Sequence, residues 1–192
     1  KPKVVGPGAS ATGGNLRLAK GTFLQSDPLG FDFPQTGDDA TTQTPSSFRL
    51  SYKGVIPSGS IPPICSLYDY SVGRFEFGPH WDGNTMFAFC GRGTANETKI
   101  ISDAGSARVL GTNQLYEVEY TDNPSGAGGT ITFYIDGVQF GSPKPTPTKL
   151  RLTPVMMLEV NASASNTNDA IGNLVVEQVG LSFGQTQVGT SY

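Results

Sequence analysis

From Phe48 onward the sequence returns again and again to a period of two. Phe48, Leu50 and Tyr52 alternate with Arg49, Ser51 and Lys53, and Tyr116, Val118 and Tyr120 alternate with Glu117 and Glu119. Ile131, Phe133 and Ile135 alternate with Thr130, Thr132 and Tyr134, and Val179, Leu181 and Phe183 with Gly180, Ser182 and Gly184. Successive side chains of an extended chain point to opposite faces, so each segment predicts a strand with one face buried and one wet. Phe75/Phe77, Met86 to Cys90, Lys99 to Ser102 and Leu150 to Val160 bring the expected number to about nine or ten, closed by Gly, Pro, Asn or Asp. No window of helical length carries an apolar stripe of period 3.6, and charged residues make up only 15%, which leaves few of the Glu, Lys and Arg that long helices use. One-sided strands need a second layer over their apolar face. The expected class is therefore all-β, a two-sheet antiparallel β-sandwich of the jelly-roll type.

Composition then narrows the function. A chain of 192 residues predicts one domain. Thirteen Lys and Arg against sixteen Asp and Glu, with no basic cluster, argue against a nucleic-acid interface. No apolar run approaches the ~20 residues of a membrane span, so no membrane insertion is expected, and no charged-then-apolar leader is read at the N-terminus. Cys65 and Cys90 are too few for a disulfide framework or a structural zinc site; whether they pair with each other stays open. Residues 1–47, rich in Gly and Pro, read as an N-terminal arm with one strand near Asn15 to Leu24 joining the sandwich; residues 48–192 read as the sandwich itself. Lys144-Pro145-Thr146-Pro147 reads as a stiff connection between strands. Leu150 to Val160, apolar on both faces, reads as a central strand, although Pro154 cannot donate to a ladder.

Leu115-Tyr-Glu-Val-Glu-Tyr-Thr-Asp122, a Gly-rich turn, and Gly129-Thr-Ile-Thr-Phe-Tyr-Ile-Asp-Gly-Val138 form a recognisable hairpin. It resembles the concanavalin A-like lectin/glucanase superfamily, which includes laminin G-like domains and laminarinase-type glucanases. In that superfamily a Tyr-x-Val-x-Tyr strand precedes a strand ending Tyr-x-Asp-Gly. Asp136-Gly137 supplies a tight turn whose second residue needs positive φ. Asn173 to Phe183 resembles the closing strand that returns beside the N-terminal strand.

The resemblance implies a test for catalysis. Glucanases of the superfamily carry Glu-x-Asp-x-x-Glu on one strand, the outer two acting as nucleophile and as general acid/base. Glu117, Glu119 and Asp122 give those spacings in the wrong order, on the strand before the Asp-Gly hairpin, where the enzymes are not catalytic. A solvated outer face accounts for them. Glu76, Glu97, Glu159 and Glu177 stand in no paired motif, and His80 is the sole histidine, so a nucleophilic triad has little to draw on. No catalytic residue is assigned, and the chain is expected not to be an enzyme.

Arg74-Phe-Glu-Phe-Gly-Pro-His-Trp-Asp-Gly-Asn84 is the most suggestive segment, with the only Trp and only His of the chain beside a Gly-Pro turn. Aromatic faces and planar amides or carboxylates are what sugars bind, and loops at the end of a sandwich carry such groups. Trp81, His80, Asp82 and Asn84 are the candidate ligand-binding residues, followed by Tyr68 and Tyr70. A second reading stands beside it, in which Trp81 plugs the core and Asp82-Gly83-Asn84 only turns the chain. The resemblance implies calcium as the metal such a domain would hold. Asp38, Asp39 and Asp103 stand in expected loops, yet without a spaced ladder of oxygen ligands. No metal site or cofactor is assigned. Asn96-Glu-Thr98 and Asn161-Ala-Ser163 match the glycosylation sequon.

These readings converge on a non-catalytic glycan-binding or surface-attachment module, outside the cell or on a virion surface, with a glycan or cell-surface receptor as partner. A capsid protrusion or spike domain of a virus or phage, self-associating as a homo-oligomer, fits the charge-poor composition equally. A glucan-active hydrolase or lyase is the third reading.

Overall fold

Ser47–Val55 buries every second side chain, with Phe48, Leu50 and Tyr52 inside and Arg49, Ser51 and Lys53 partly exposed, as the alternation predicts. The computed structural model describes residues 3–5, 9–12, 15–19, 21–27, 47–56, 64–69, 73–80, 84–91, 98–105, 111–150, 157–162, 174–183 and 186–191. Among the described residues there is no helix. The strands form two antiparallel sheets. One runs, in spatial order, β1 (Lys3–Val5), β4 (Phe23–Gln25), β13 (Met157–Asn161), β6 (Cys65–Asp69), β7 (Gly73–Pro79), β8 (Met86–Gly91) and β9 (Thr98–Ile101). The other runs β12 (Val138–Pro145), β11 (Gly129–Ile135), β10 (Asn113–Asp122), β5 (Ser47–Val55), β14 (Leu174–Phe183), β3 (Asn15–Leu18) and β2 (Ala9–Thr12), with β15 (Thr186–Ser191) also paired to β14. The fold is a jelly-roll β-sandwich.

The inner faces supply the core. Phe48 of one sheet meets Phe75 of the other edge-on, with centroids 5.0 Å apart and planes at 80°. Leu50, Leu67, Phe77, Val118, Ile131 and Phe133 are fully buried around them, each contributing about 1.5–3 kcal/mol by leaving water. Cys65 and Cys90 also face this core and are free thiols. Cys65 pairs with Phe77 on one side of β7, and Cys90 with Phe75 on the other. Two strand spacings, roughly 9.5 Å across the sheet, and a two-residue offset along β7 separate them, beyond the reach of a disulfide.

Asp136 and Gly137 turn β11 into β12 with φ of 52° and 78°. Both central residues are left-handed, the type I′ geometry that matches strand twist. Asp136 does more than turn the chain. Its carboxylate accepts from the Leu115 amide (2.9 Å) and from Gln114 Nε2 (3.0 Å), fastening the turn to β10.

In several places the structure departs from the expectations. Where one strand is expected near Asn15 to Leu24, the described residues up to Gln25 form four short strands divided between both sheets, each too short to display an alternation. Lys144 and Pro145 belong to β12 rather than to a connection; β12 is an edge strand, where a missing N–H is tolerated. Gly78 and Pro79 likewise end β7 instead of turning. Of the segment from Leu150 to Val160, the described strand is β13, an interior strand as expected. Leu150 is a buried loop residue whose amide donates to the Tyr120 hydroxyl at 3.1 Å. Pro154 lies outside the described residues. β14 closes the fold between β5 and β3. A bulge between Val176 and Gln178 switches its parity, so that Leu174 and Val176 are buried before it and Val179 and Leu181 after it.

Candidate functional site

Strand parity on the seven-stranded sheet sends Leu67, Phe75, Phe77, Ala88 and Cys90 into the core. Their neighbours are therefore sent to the opposite face. Cross-strand register then lines those neighbours up as Gln25, Glu159, Ser66, Glu76, Phe89 and Lys99, one from each of six adjacent strands. Tyr68 and Arg74 form the next row, and Phe87 flanks Phe89.

These groups bind one another. The Tyr68 hydroxyl donates to Glu159 Oε2 at 3.2 Å and is itself bonded by Gln25 Nε2. Asn161 Nδ2 donates to Glu159 Oε1 at 3.2 Å. Burial pushes the Glu159 carboxyl above its ordinary value, against the pull of the donors from Tyr68 and Asn161. Ser66 Oγ donates to Glu76 Oε2 at 3.4 Å, and Arg74 Nη1 lies 3.3 Å from Glu76 Oε1. Arg74 rests over the Phe89 ring at 5.3 Å, and Lys99 Nζ over Phe87 and Phe89 at 5.3 and 5.7 Å. The two rings meet edge to face, 5.6 Å apart. Glu76, Glu159, Tyr68 and Phe87 are buried, whereas Arg74, Phe89, Lys99 and Gln25 are partly exposed. The face therefore opens on a cation–aromatic strip with carboxylates behind it.

Of the residues singled out in the sequence, Tyr68 belongs to this face. His80 is buried, with its amide donating to the Thr85 carbonyl (2.8 Å) where the β7–β8 hairpin turns. Asn84 is exposed at the same turn, its carbonyl accepting from the Gly105 amide at 2.9 Å. Trp81, Asp82 and Tyr70 lie outside the described residues. Tyr68 pairs with Arg74 at the start of β7, while His80 follows its end. Six residues of strand, about 20 Å, separate them, so Tyr68 and His80 do not share one site.

Glu117 and Glu119 stand on the outward face of the other sheet, and both are taken up by Arg49, at 3.5 and 3.0 Å. The Tyr134 hydroxyl donates to Glu119 at 2.9 Å, and Arg49 covers the Tyr134 ring at 4.3 Å. This is a cross-strand ion cluster of the ordinary kind. Among the described residues, no three His, Cys, Asp or Glu side chains gather as metal ligands. Asp103 instead binds Lys144 and the Ser142 hydroxyl, and accepts from the Ser142 amide at 2.9 Å. Asp38, Asp39 and Asn96 lie outside the described residues. The sequon residue Asn161 is half-buried in β13, its amide on Glu159.

Glu159, Glu76, Arg74, Ser66, Phe87 and Phe89 escaped the sequence reading as site residues. The one local signal was polar or charged residues at alternate positions within otherwise apolar strands, as in Ser66-Leu67-Tyr68 and Arg74-Phe75-Glu76.

No protein-family model matches the chain, and no curated protein matches it. Its architecture has solved counterparts. The chain is similar to the binding domain of botulinum neurotoxin serotype D (TM-score 0.60, 13% identity, covering 96% of this chain and 43% of that one). It is similar as well to the binding domain of botulinum neurotoxin DC, solved in complex with rat synaptotagmin II (TM-score 0.56, 12% identity, 94% and 43%). A third counterpart is β-agarase A from Zobellia galactanivorans (TM-score 0.53, 12% identity, 100% and 83%). The chain thus spans about 43% of the length of the toxin binding domains it matches. The likeness is one of fold.

Proposed function

We propose that the chain is a non-catalytic glycan-binding or surface-attachment module, a member of the concanavalin A-like superfamily acting outside the cell or on a virion surface. The supporting observation is the outward row on the seven-stranded sheet. Burying Glu76 and Glu159 on a face that does not build the core costs desolvation without adding apolar packing. A row kept at such a cost is better explained by recognition than by stability. Its chemistry suits a polyhydroxylated ligand: carboxylates and amides accept and donate to paired hydroxyls, and Phe89 offers a surface to C–H groups. The counterparts add a coarse support, two being named as binding domains, one of them solved in complex with rat synaptotagmin II, and the third as an agarase.

A glycan array comparing wild type with Phe89→Ala and Trp81→Ala tests this, with a melting curve for each variant. Loss of binding on Phe89→Ala alone supports the sheet face, and loss on Trp81→Ala alone moves the site to the β7–β8 loop. Absence of binding to any glycan overturns the reading.

Hydrolysis is the second reading, and one observation favours it. Glu76 and Glu159 share a face with only Ser66 between them in the register, and Glu159 is held toward its protonated form, as a general acid requires. Reducing-sugar release from β-glucans or agarose, abolished by both Glu76→Gln and Glu159→Gln, would establish it.

A further inference from the structure

We propose that this face holds its glycan more tightly in mild acid than at neutral pH, with Glu159 taking up a proton as the ligand settles over it; the inference rests on the glycan-binding reading above. The two buried carboxylates of the row are provided for differently. Glu76 has the Arg74 guanidinium 3.3 Å from Oε1. Glu159 has the Tyr68 hydroxyl on one oxygen and the Asn161 amide on the other, both at 3.2 Å, and among the described residues no cation pairs with it. Its neighbours in the register are Gln25 of β4 and Ser66 of β6, neither of which carries a charge. Glu76 and Arg74 stand on β7, one strand beyond Ser66. Of the titratable groups nearer to it, Tyr68 is its donor, and burial together with Glu159 itself keeps the Cys65 thiol protonated.

An anionic carboxylate in such a place depends on the water that still reaches it. Burial already tips Glu159 toward its protonated form. A neutral sugar laid along the row removes that water; its hydroxyls replace hydrogen bonds but bring no positive charge. Binding therefore penalises the charged form and raises the carboxyl further. By linkage, affinity is greatest where Glu159 is already protonated. It is level below the value of the free carboxyl and falls as pH rises from there to the value in the complex, about tenfold for each unit between the two.

The test is titration calorimetry of the full chain with two neutral probes, a soluble β-glucan and agaro-oligosaccharides, from about pH 4 to 8, each repeated in buffers of different ionisation enthalpy. Wild type is expected to bind several-fold more tightly at the acid end. Its heat of binding should change from buffer to buffer, the mark of a proton taken up. Glu159→Gln should lose both the pH dependence and the buffer dependence. Tyr68→Phe removes a donor from the charged form and should carry the fall in affinity to higher pH, a shift that lost packing alone does not produce. Wild-type binding independent of pH and buffer, or proton uptake that survives in folded Glu159→Gln, overturns this inference and leaves the glycan-binding reading standing. Failure of both probes to bind at any pH, together with an empty glycan array, overturns that reading first.

Discussion

The Tyr68 hydroxyl donates to Glu159 Oε2 at 3.2 Å, tying β6 to β13 across the face that the core does not use. Tyr68→Phe removes that donor and leaves Glu159 with Asn161. A loss of about 1 kcal/mol is expected, the usual worth of one such bond, with a larger proportional loss of glycan affinity. Urea denaturation and calorimetry measure the two separately.

Glu159 itself should show in the pH dependence of stability. Its carboxyl is raised in the folded state by burial, so the folded chain holds the proton more tightly than the unfolded chain. That contribution is complete below the ordinary carboxylate value and fades as pH rises through the raised one. Glu159→Gln keeps an acceptor for Tyr68 and carries no charge. The variant should melt higher than wild type at neutral pH, and the difference should vanish toward pH ~4.

Asp103 should behave in the opposite sense. Hydrogen bonds from Lys144 and Ser142 hold its carboxyl well below the ordinary value. Its contribution is present above the ordinary value and is lost as pH falls through the lowered one. Asp103→Asn should melt lower than wild type at neutral pH and match it in strong acid. A series of melting curves across that range decides it.

Gly54 has no room for a side chain. A Cβ there would run into the Val175 carbonyl oxygen and the Tyr52 hydroxyl, which donates to that same carbonyl. Gly54→Ala should cost about 1–3 kcal/mol, the range for overpacking, by forcing β5 and β14 apart beside the bulge. Gly111→Ala would meet nothing in space but is strained by its φ of 82°, so the pair separates collision from backbone strain.

Cys65 and Cys90 should both remain reduced in air. Burial holds both thiols up, that of Cys90 to about 12. A thiol-specific reagent should leave them unmodified in the native protein and modify both in denaturant. A mass two daltons short would contradict the register.

How much could be read from residues alone depended on distance along the chain. The β10–β11 hairpin and the Asp136-Gly137 turn are local, so alternation and turn chemistry revealed them. The parity switch in β14 was hidden, because a bulge breaks the period that makes a strand visible. The row from Gln25 to Lys99 takes β6 to β9 from consecutive strands, but β4 and β13 join it from far along the chain, and no sequence window brings Glu159 beside Gln25 and Ser66. Tyr68 was found because Tyr-Asp-Tyr is conspicuous; Glu159 and Glu76 were passed over because each looks solitary until the sheet is drawn. The segment around Trp81 attracted notice through rare residue types, which mark composition rather than proximity.

Among the described residues β3 has only β2 and β14 for neighbours, and β14 is supplied by residues 174–183. During synthesis, therefore, the first hairpin has no sheet to join until nearly the whole domain has left the ribosome. Until then the larger sheet exists in two separate pieces, and β5 leaves one edge unfilled. Such late closure makes a nascent chain slow to fold and dependent on shielding from its neighbours. A product ending before residue 174 would lack the keystone between the pieces, and chaperone capture or aggregation would be its fate.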